Sequence, residues 1–355
     1  MKDNDIHIVT GAAGRTGFPL CLELIKRGAK VRALDIVENE ATEQLKALGC
    51  EVVYCDVTNP HNIDQAFGGG TFVYHLAGIV SIESKPTKLL EEVNIKGTQN
   101  VIDGCLRHNI KRLIHTGSVH MLETDNKTGI IMEPNRFNPD TVYGGYAKSK
   151  AIAANLVLDA KEKGLDVVLV LPSGIIGPYE FTNSNFGEMV AQVADGNLRI
   201  FIKGKYDFVD VRDLACAFCD LAQKGENGQS YIVSGNVITV KEMMNIVAET
   251  AGIKRIKHFV PLFLVKMFAG IAEKHALRKK RKPTFTPYSM KVLQDNCNFS
   301  HARLTKLTGY TPRPVEESLK DHTKFYMAQK AKITDNKSKG SIVLLKSSPA
   351  QNILK

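Results

Sequence analysis

Two spacings of apolar residues alternate along the chain. Short apolar runs at Ile6–Thr10, Lys30–Leu34, Glu51–Tyr54, Phe72–Leu76, Arg112–His115 and Val167–Leu171 predict strands. Between most of them, apolar residues recur every three or four positions. This predicts helices over Phe18–Arg27, Ala41–Leu48, Ile63–Phe67, Leu89–His108 and Tyr146–Lys163, the first closed by Gly28. Strands alternating with helices predict an α/β fold, a doubly wound parallel sheet covered on both faces, with ligands at the carboxyl ends of its strands. After Pro172 the rhythm breaks. Helical spacing dominates at Thr182–Ala194, Val211–Gln223, Thr239–Ala251 and Pro314–Gln329, with short strand candidates at Arg199–Lys203 and Ser230–Val233. The expected organisation is a sheet domain over residues 1–178, returning to the sheet around 199–235, and a smaller, mostly helical substrate lobe over 179–330. The tail 331–355 mixes Lys, Ser, Gly and Asn, and reads as disordered or loosely docked.

Composition narrows the class. At 355 residues the chain exceeds one ordinary core, and 43% hydrophobic with 24% charged residues is the balance of a globular protein. No apolar run reaches the length of a membrane span, and the opening MKDNDIHIVT lacks the apolar stretch of a signal peptide. A cytoplasmic protein without integral membrane association is expected. The net charge of +10 is concentrated: five positives lie in 278–282 (RKKRK) and a net four in the tail, which leaves the body at +1. A nucleic-acid face is therefore not expected. Phe259–Ala272 is apolar on more than one face and fits lobe core or a lid better than a membrane anchor. The seven cysteines are an odd number in mostly apolar surroundings, and the pair Cys216 and Cys219 lies in a helical segment with no second pair. Reduced thiols are expected, with no zinc site and no disulfide frame.

The first strand runs into Thr10-Gly11-Ala12-Ala13-Gly14-Arg15-Thr16-Gly17, which opens the first helix. In that context the glycines suit a dinucleotide-binding turn. Gly11 permits the tight turn, Gly14 lets a pyrophosphate approach the backbone, and Gly17 lets helix pack on sheet. Ala13, Arg15 and Thr16 belong to the same anion-binding turn at a helix N-terminus. Asp35 ends the second strand, where a carboxylate accepts bonds from both ribose hydroxyls and repels a 2′-phosphate; this favours NAD. Arg15 could pair with such a phosphate, so NADP stays open. Asp56, after the third strand, is placed to meet the adenine.

Tyr146 and Lys150 stand four apart at the start of a helix and share a face. A phenol is a poor base at neutral pH, but a nearby ammonium and an oxidised nicotinamide both favour the phenolate. Tyr146 is then a proton shuttle beside a hydride transfer. Tyr143 is the rival, but Ala147 stands four residues on, which leaves it a substrate-loop or packing role. Ser118, at the end of the fifth strand, can hold the substrate oxygen near Tyr146. No G-x-S-x-G elbow surrounds it, which disfavours a hydrolase. His120 reads as a loop histidine, and Asn94, unusual in mid-helix, reaches toward the site or bonds locally.

With these residues in hand the sequence resembles the extended short-chain dehydrogenase/reductases, Rossmann-type enzymes of the NAD-dependent epimerase/dehydratase superfamily. The match covers roughly residues 5–330: TGAAGRTG (10–17), Asp35, CDVT (55–58), HLAG (75–78), VNIKGT (93–98), HTGS (115–118), YAKSK (146–150), LPSGIIGP (171–178) and FVDVRDLACA (208–217). The resemblance implies a catalytic triad of Ser118, Tyr146 and Lys150, with the Lys also on the nicotinamide ribose. It further implies cofactor contacts from Asp56 and Val57, from Leu76, Ala77 and Gly78, and from Pro172, Ser173, Gly174 and Ile175. The nearest look is to the dihydroflavonol-reductase and 3β-hydroxysteroid-dehydrogenase-like branch. Many nucleotide-sugar enzymes carry an Arg where Tyr206 stands here, which disfavours a nucleotide-sugar substrate. The expected activity is NAD(P)-dependent interconversion of a secondary alcohol and a ketone on a largely apolar small molecule. An epimerase or dehydratase of nucleotide sugars and a non-catalytic dinucleotide sensor remain as rivals. Family habit implies a homodimer.

Overall fold

The computed structural model describes residues 4–83, 86–124, 129–181, 184–261 and 286–338. Seven parallel strands form the central sheet, in the order β10-β6-β5-β4-β1-β2-β3. In chain order the first half comprises β1 Ile6–Thr10, α1 Gly17–Lys26, β2 Lys30–Asp35, α2 Glu40–Ala47, β3 Glu51–Tyr54, α3 Pro60–Phe67 and β4 Phe72–His75. There follow α4 Lys88–Leu90, a π-helical turn Glu91–Lys96, α5 Gly97–Arg107, β5 Arg112–Thr116, α6 Gly145–Ala160 and β6 Val167–Pro172. The predicted helix over Leu89–His108 is thus interrupted at its start by the π turn, which carries Asn94.

Local chemistry sets the element ends. Asn39 caps α2 by accepting from Ala41 and Thr42 amides, and Thr42 bonds back to the cap. Asn59 caps α3 with Pro60 at the first helical position. Gly28 lies at φ 79°, where the chain leaves α1. Side chains alternating along β5 and β6 divide the core in two. Leu113, Val167, Leu169 and Leu171 pack with Ile63, Phe67, Val101, Ala151 and Val157 of α3, α5 and α6. Ile114, Val168 and Val170 face the other way, toward Leu20 and Leu24 of α1 and Phe218 and Leu221 of a later helix. Both faces are dry, as a parallel sheet requires.

The second half contains more strand than its pattern predicts. After β6 come β7 Gly174–Ile176, α7 Asn185–Ala194, β8 Ile200–Ile202, β9 Lys205–Asp210, α8 Val211–Lys224, β10 Gln229–Val233, β11 Asn236–Thr239, α9 Val240–Thr250 and β12 His258–Val260. The described chain ends with α10 Pro287–Val292, α11 Ala302–Thr308 and α12 Val315–Ser338. Of the two strand candidates, only β10 joins the central sheet, beside β6. β8 pairs with β12 instead, and β11-β9-β7 form a separate small sheet. A third core, with Val190, Val193, Phe201, Met244, Val247 and Leu319, holds the lobe together. Helix α12 continues past Gln329 to Ser338, into the stretch read as a disordered tail, where Lys332 reaches Glu40 at 3.6 Å. The apolar stretch beyond Pro261, the basic cluster 278–282 and residues 339–355 lie outside the described residues. Among the described residues no helix is long and apolar enough to cross a membrane.

Candidate active site

The carboxyl ends of β1 and β4 are fastened together by Thr10. Its hydroxyl accepts from the Leu76 and Ala77 amides at 3.2 Å each and meets His75 Nδ1 at 2.8 Å. The glycine turn leaves from this point. Gly11 has φ 69°, and a Cβ there would stand 2.8 Å from the Ala77 nitrogen. A Cβ on Gly17 would collide with the Gly11 carbonyl oxygen, so α1 starts against the turn itself. Thr16 makes no side-chain cap and the first turn of α1 has no acidic residue. An uncapped helix start above a glycine cradle fits the pyrophosphate of a dinucleotide.

Asp35 closes the other side of this cradle. Its Oδ2 accepts from the Ala13 amide at 2.8 Å, and Oδ1 accepts from Ile36 and Val37. Burial pushes the carboxyl up and these amides pull it back. Arg15 departs from its sequence reading. Its guanidinium points to the lobe, 3.4 Å from Glu180 and 3.0 Å from the Ser184 hydroxyl, and lies over the Phe186 ring at 5.3 Å. With Arg15 held there, Asp35 remains the charge expected to act on a bound ribose. Asp35→Ser is expected to raise affinity for NADP relative to NAD by on the order of tenfold to a hundredfold. Arg15→Met should leave that ratio alone. Calorimetric titration of both cofactors measures each variant, and an unchanged ratio in the Asp35 variant would remove the assignment.

Asp56 holds its own turn, accepting from Thr58 nitrogen and hydroxyl through Oδ1, while Val57 is buried beneath it. The Asn100 amide fixes the Val57 carbonyl at 3.0 Å. Leu76, Ala77 and Gly78 follow β4 directly. A Cβ on Gly78 would stand 3.2 Å from Asn94 Oδ1 and 3.6 Å from Lys150 Nζ, so this segment lies against Lys150. Pro172 ends β6, Ser173 donates its amide to the Val233 carbonyl at 3.1 Å, and Gly174 and Ile175 begin β7 beside β9.

Ser118, Tyr146 and Lys150 come together at the ends of β5 and β6, all three buried. Ser118 lies just past β5, where its hydroxyl accepts from the His120 amide to cap a 3₁₀ turn at Val119–Met121, and it lies near enough to Tyr146 to draw the phenol pKa down. Lys150 Nζ donates to the Thr116 carbonyl at 2.6 Å. This corrects one expectation. Burial raises the Tyr146 phenol, and Ser118 is what lowers it, while the ammonium is turned to the backbone. Asn94 exchanges two hydrogen bonds with Ile79 and donates to Ser149 Oγ at 3.0 Å, tying the loop after β4 to α6. A π turn presenting such a residue is a common device at functional sites.

Burial also lowers the Lys150 ammonium from 10.5 to about 8. Below pH 8 the lysine is charged in both folded and unfolded chains and the burial penalty is complete; it fades as pH rises from 8 toward 10.5. Lys150→Met removes the penalty and loses one hydrogen bond. Stability at pH 7 is expected to rise by about 2 kcal/mol, a gain that shrinks above pH 8. Urea unfolding at the two ends of that range tests it, and a less stable variant at pH 7 would contradict the sign.

Sequence reasoning gave His120 a loop role, read Tyr206 only as a missing cation and did not name Tyr288. His120 is in edge contact with the Tyr146 ring, 5.9 Å between centroids, and is bonded on both nitrogens: Nε2 to Tyr206 at 3.1 Å and Nδ1 to Tyr288 at 3.0 Å. Tyr288 lies on Gly144, where φ is 95° and a Cβ would meet its ring at 2.6 Å. Tyr143 stacks on Tyr288 and is 44% exposed. Nothing local to His120 announces partners 86 and 168 residues away.

Comparison with known proteins agrees with this geometry. The chain is 29% identical to sterol demethylase protein B of Methylococcus capsulatus, over 88% of this chain and 96% of that protein. It is 25% identical to a putative dihydroflavonol 4-reductase of Synechocystis, over 89% of this chain and 93% of the other. The dTDP-glucose 4,6-dehydratase DesIV of Streptomyces venezuelae, solved with NAD and TYD, superposes with a TM-score of 0.73 over 92% of this chain and 98% of its own; at 17% identity that likeness speaks for the fold. Residues 7–234 match the model of the NAD dependent epimerase/dehydratase family, and with the glycine cradle and the buried Ser-Tyr-Lys cluster in place, the chain belongs to that family.

Proposed function

We propose that the protein is an NAD-dependent reductase or dehydrogenase acting on a secondary alcohol or ketone of a largely apolar small molecule. The shared burial of Ser118, Tyr146 and Lys150 beside the glycine cradle, with Ser118 acting on the Tyr146 phenol, carries this reading. We assign the cofactor to the unit 1–178 and the substrate to the lobe 179–330. Asp35 and the turn Gly11–Gly17 would hold the dinucleotide, whose nicotinamide supplies or accepts the hydride when bound. Ser118 donates a hydrogen bond to the substrate oxygen and holds it against Tyr146. In reduction, the Tyr146 phenol gives that oxygen its proton; in oxidation, it takes the proton back. Lys150, fixed by the Thr116 carbonyl, would hold the nicotinamide ribose of the bound cofactor.

The aromatic character of the lobe favours an apolar substrate. Tyr206, Phe208 and Phe186 line up across the lobe in tilted and edge contacts at 5.2 and 5.5 Å. The position of Tyr206 carries no cation for a diphosphate. Pure protein mixed with NADH or NADPH and a panel of apolar cyclic ketones and nucleotide sugars tests the reading. Loss of nicotinamide absorbance with the ketones is expected. Isomerised or dehydrated sugar without net nicotinamide change would replace this reading with the epimerase or dehydratase one.

A further inference from the structure

The contacts of His120 leave one proton over. Burial lowers its pKa to about 4, so at neutral pH the ring carries one N–H and one bare nitrogen. Its two nitrogens meet two phenols, each with a single O–H. One phenol must donate to the bare nitrogen. The other must accept from the N–H, and its own proton then has no acceptor: among the described residues neither Tyr206 nor Tyr288 has a further hydrogen-bond partner. Both tyrosines are buried, at 8% and 5% exposure, where an unsatisfied O–H is costly. The trio lines a cavity of about 50 Å³ together with Val119, Val142 and Phe299, room for a group of a few heavy atoms. The charges at its margin are spoken for, because Lys291 pairs with Asp295 at 3.0 Å and Asp295 also accepts from Thr124.

We propose that His120, Tyr206 and Tyr288 form a second oxygen-binding point of the substrate pocket. The spare phenol proton is donated to an uncharged acceptor oxygen of the substrate, a carbonyl, ether or hydroxyl oxygen, on the side of the reacting carbon that faces His120. An anionic group is disfavoured, since the trio is neutral. The tautomer of His120 selects which tyrosine is the donor. This rests on the reductase reading above and adds to it a feature of the substrate: an apolar frame bearing two oxygen functions.

Matched probes separate an oxygen from a methylene of the same shape. The holoprotein with NADH is given 2-methoxycyclohexanone against 2-ethylcyclohexanone, and the corresponding 3- and 4-substituted pairs. Affinity is read by calorimetry and kcat/KM by nicotinamide absorbance, for the wild type, Tyr206→Phe and Tyr288→Phe. The wild type is expected to prefer one methoxy isomer over its ethyl partner by on the order of tenfold. One Phe variant should abolish that preference and the other reduce it, because losing either phenol lets the ring change tautomer. Both variants keep the ring shape, and thermal unfolding checks that they fold. A preference equal in all three proteins, no preference at any position, or no binding of any probe would overturn the proposal. A preference present in binding without turnover upholds it and counts against the hydride-transfer reading alone.

Discussion

Phe at position 146 is expected to lower turnover by about 10²–10⁴-fold while NAD binds with nearly wild-type affinity. The side chain keeps its ring, its place at the first turn of α6 and its edge contact with His120, and loses only the hydroxyl. What disappears is the phenol hydroxyl on which Ser118 acts. Burial alone holds that phenol above its ordinary range, so the free protein is a weak base. An oxidised nicotinamide bound in the site would favour the phenolate by attraction. Turnover should therefore collapse in kcat, with the NAD dissociation constant within about twofold of wild type, since the glycine cradle and Asp35 are untouched. Single-turnover absorbance and calorimetry measure the two quantities. Turnover near the wild-type rate would mean that another group, with His120 the nearest candidate, moves the proton.

Much of this arrangement is legible in the chain, for a local reason. The strands β1 to β6 announce themselves because most are buried on both faces, the edge strand β3 excepted, and are bounded by glycine or a helix pattern. Tyr146 and Lys150 can be paired because helical spacing alone places them on one face. Three kinds of feature escape such reasoning. Short strands such as β7 and β8 have too few residues to display a period, so the lobe reads as more helical than it is. The direction of a long side chain depends on distant partners: Arg15 turns to Glu180 and Ser184 across the lobe, and Lys150 to a backbone carbonyl. Finally, His120 gains its partners only when β9 and α10 fold over it. A histidine in a strand-end loop has no sequence signature for that event.

Replacing Gly17 by Ala is expected to destroy NAD binding and to destabilise the fold, and the reason is a single contact. The added methyl would collide with the Gly11 carbonyl oxygen and crowd Ala12 Cα at 2.7 Å, all of it backbone with no rotamer to yield. Either α1 tilts away from the sheet or the turn rises, at about 1–3 kcal/mol or more. Each response displaces the amides that face the pyrophosphate, and a binding loss of similar size is on the order of a hundredfold in affinity. Gly28→Ala separates this from ordinary glycine effects. Gly28 has φ 79° and nothing within 4 Å of a built Cβ, so alanine there meets only backbone strain, about 1 kcal/mol. Both variants should melt below the wild type, but only the Gly17 variant should lose NAD in a calorimetric titration. If both bound it equally, the tight start of α1 would be a packing feature, and the anion cradle would have to be sought elsewhere on the sheet edge.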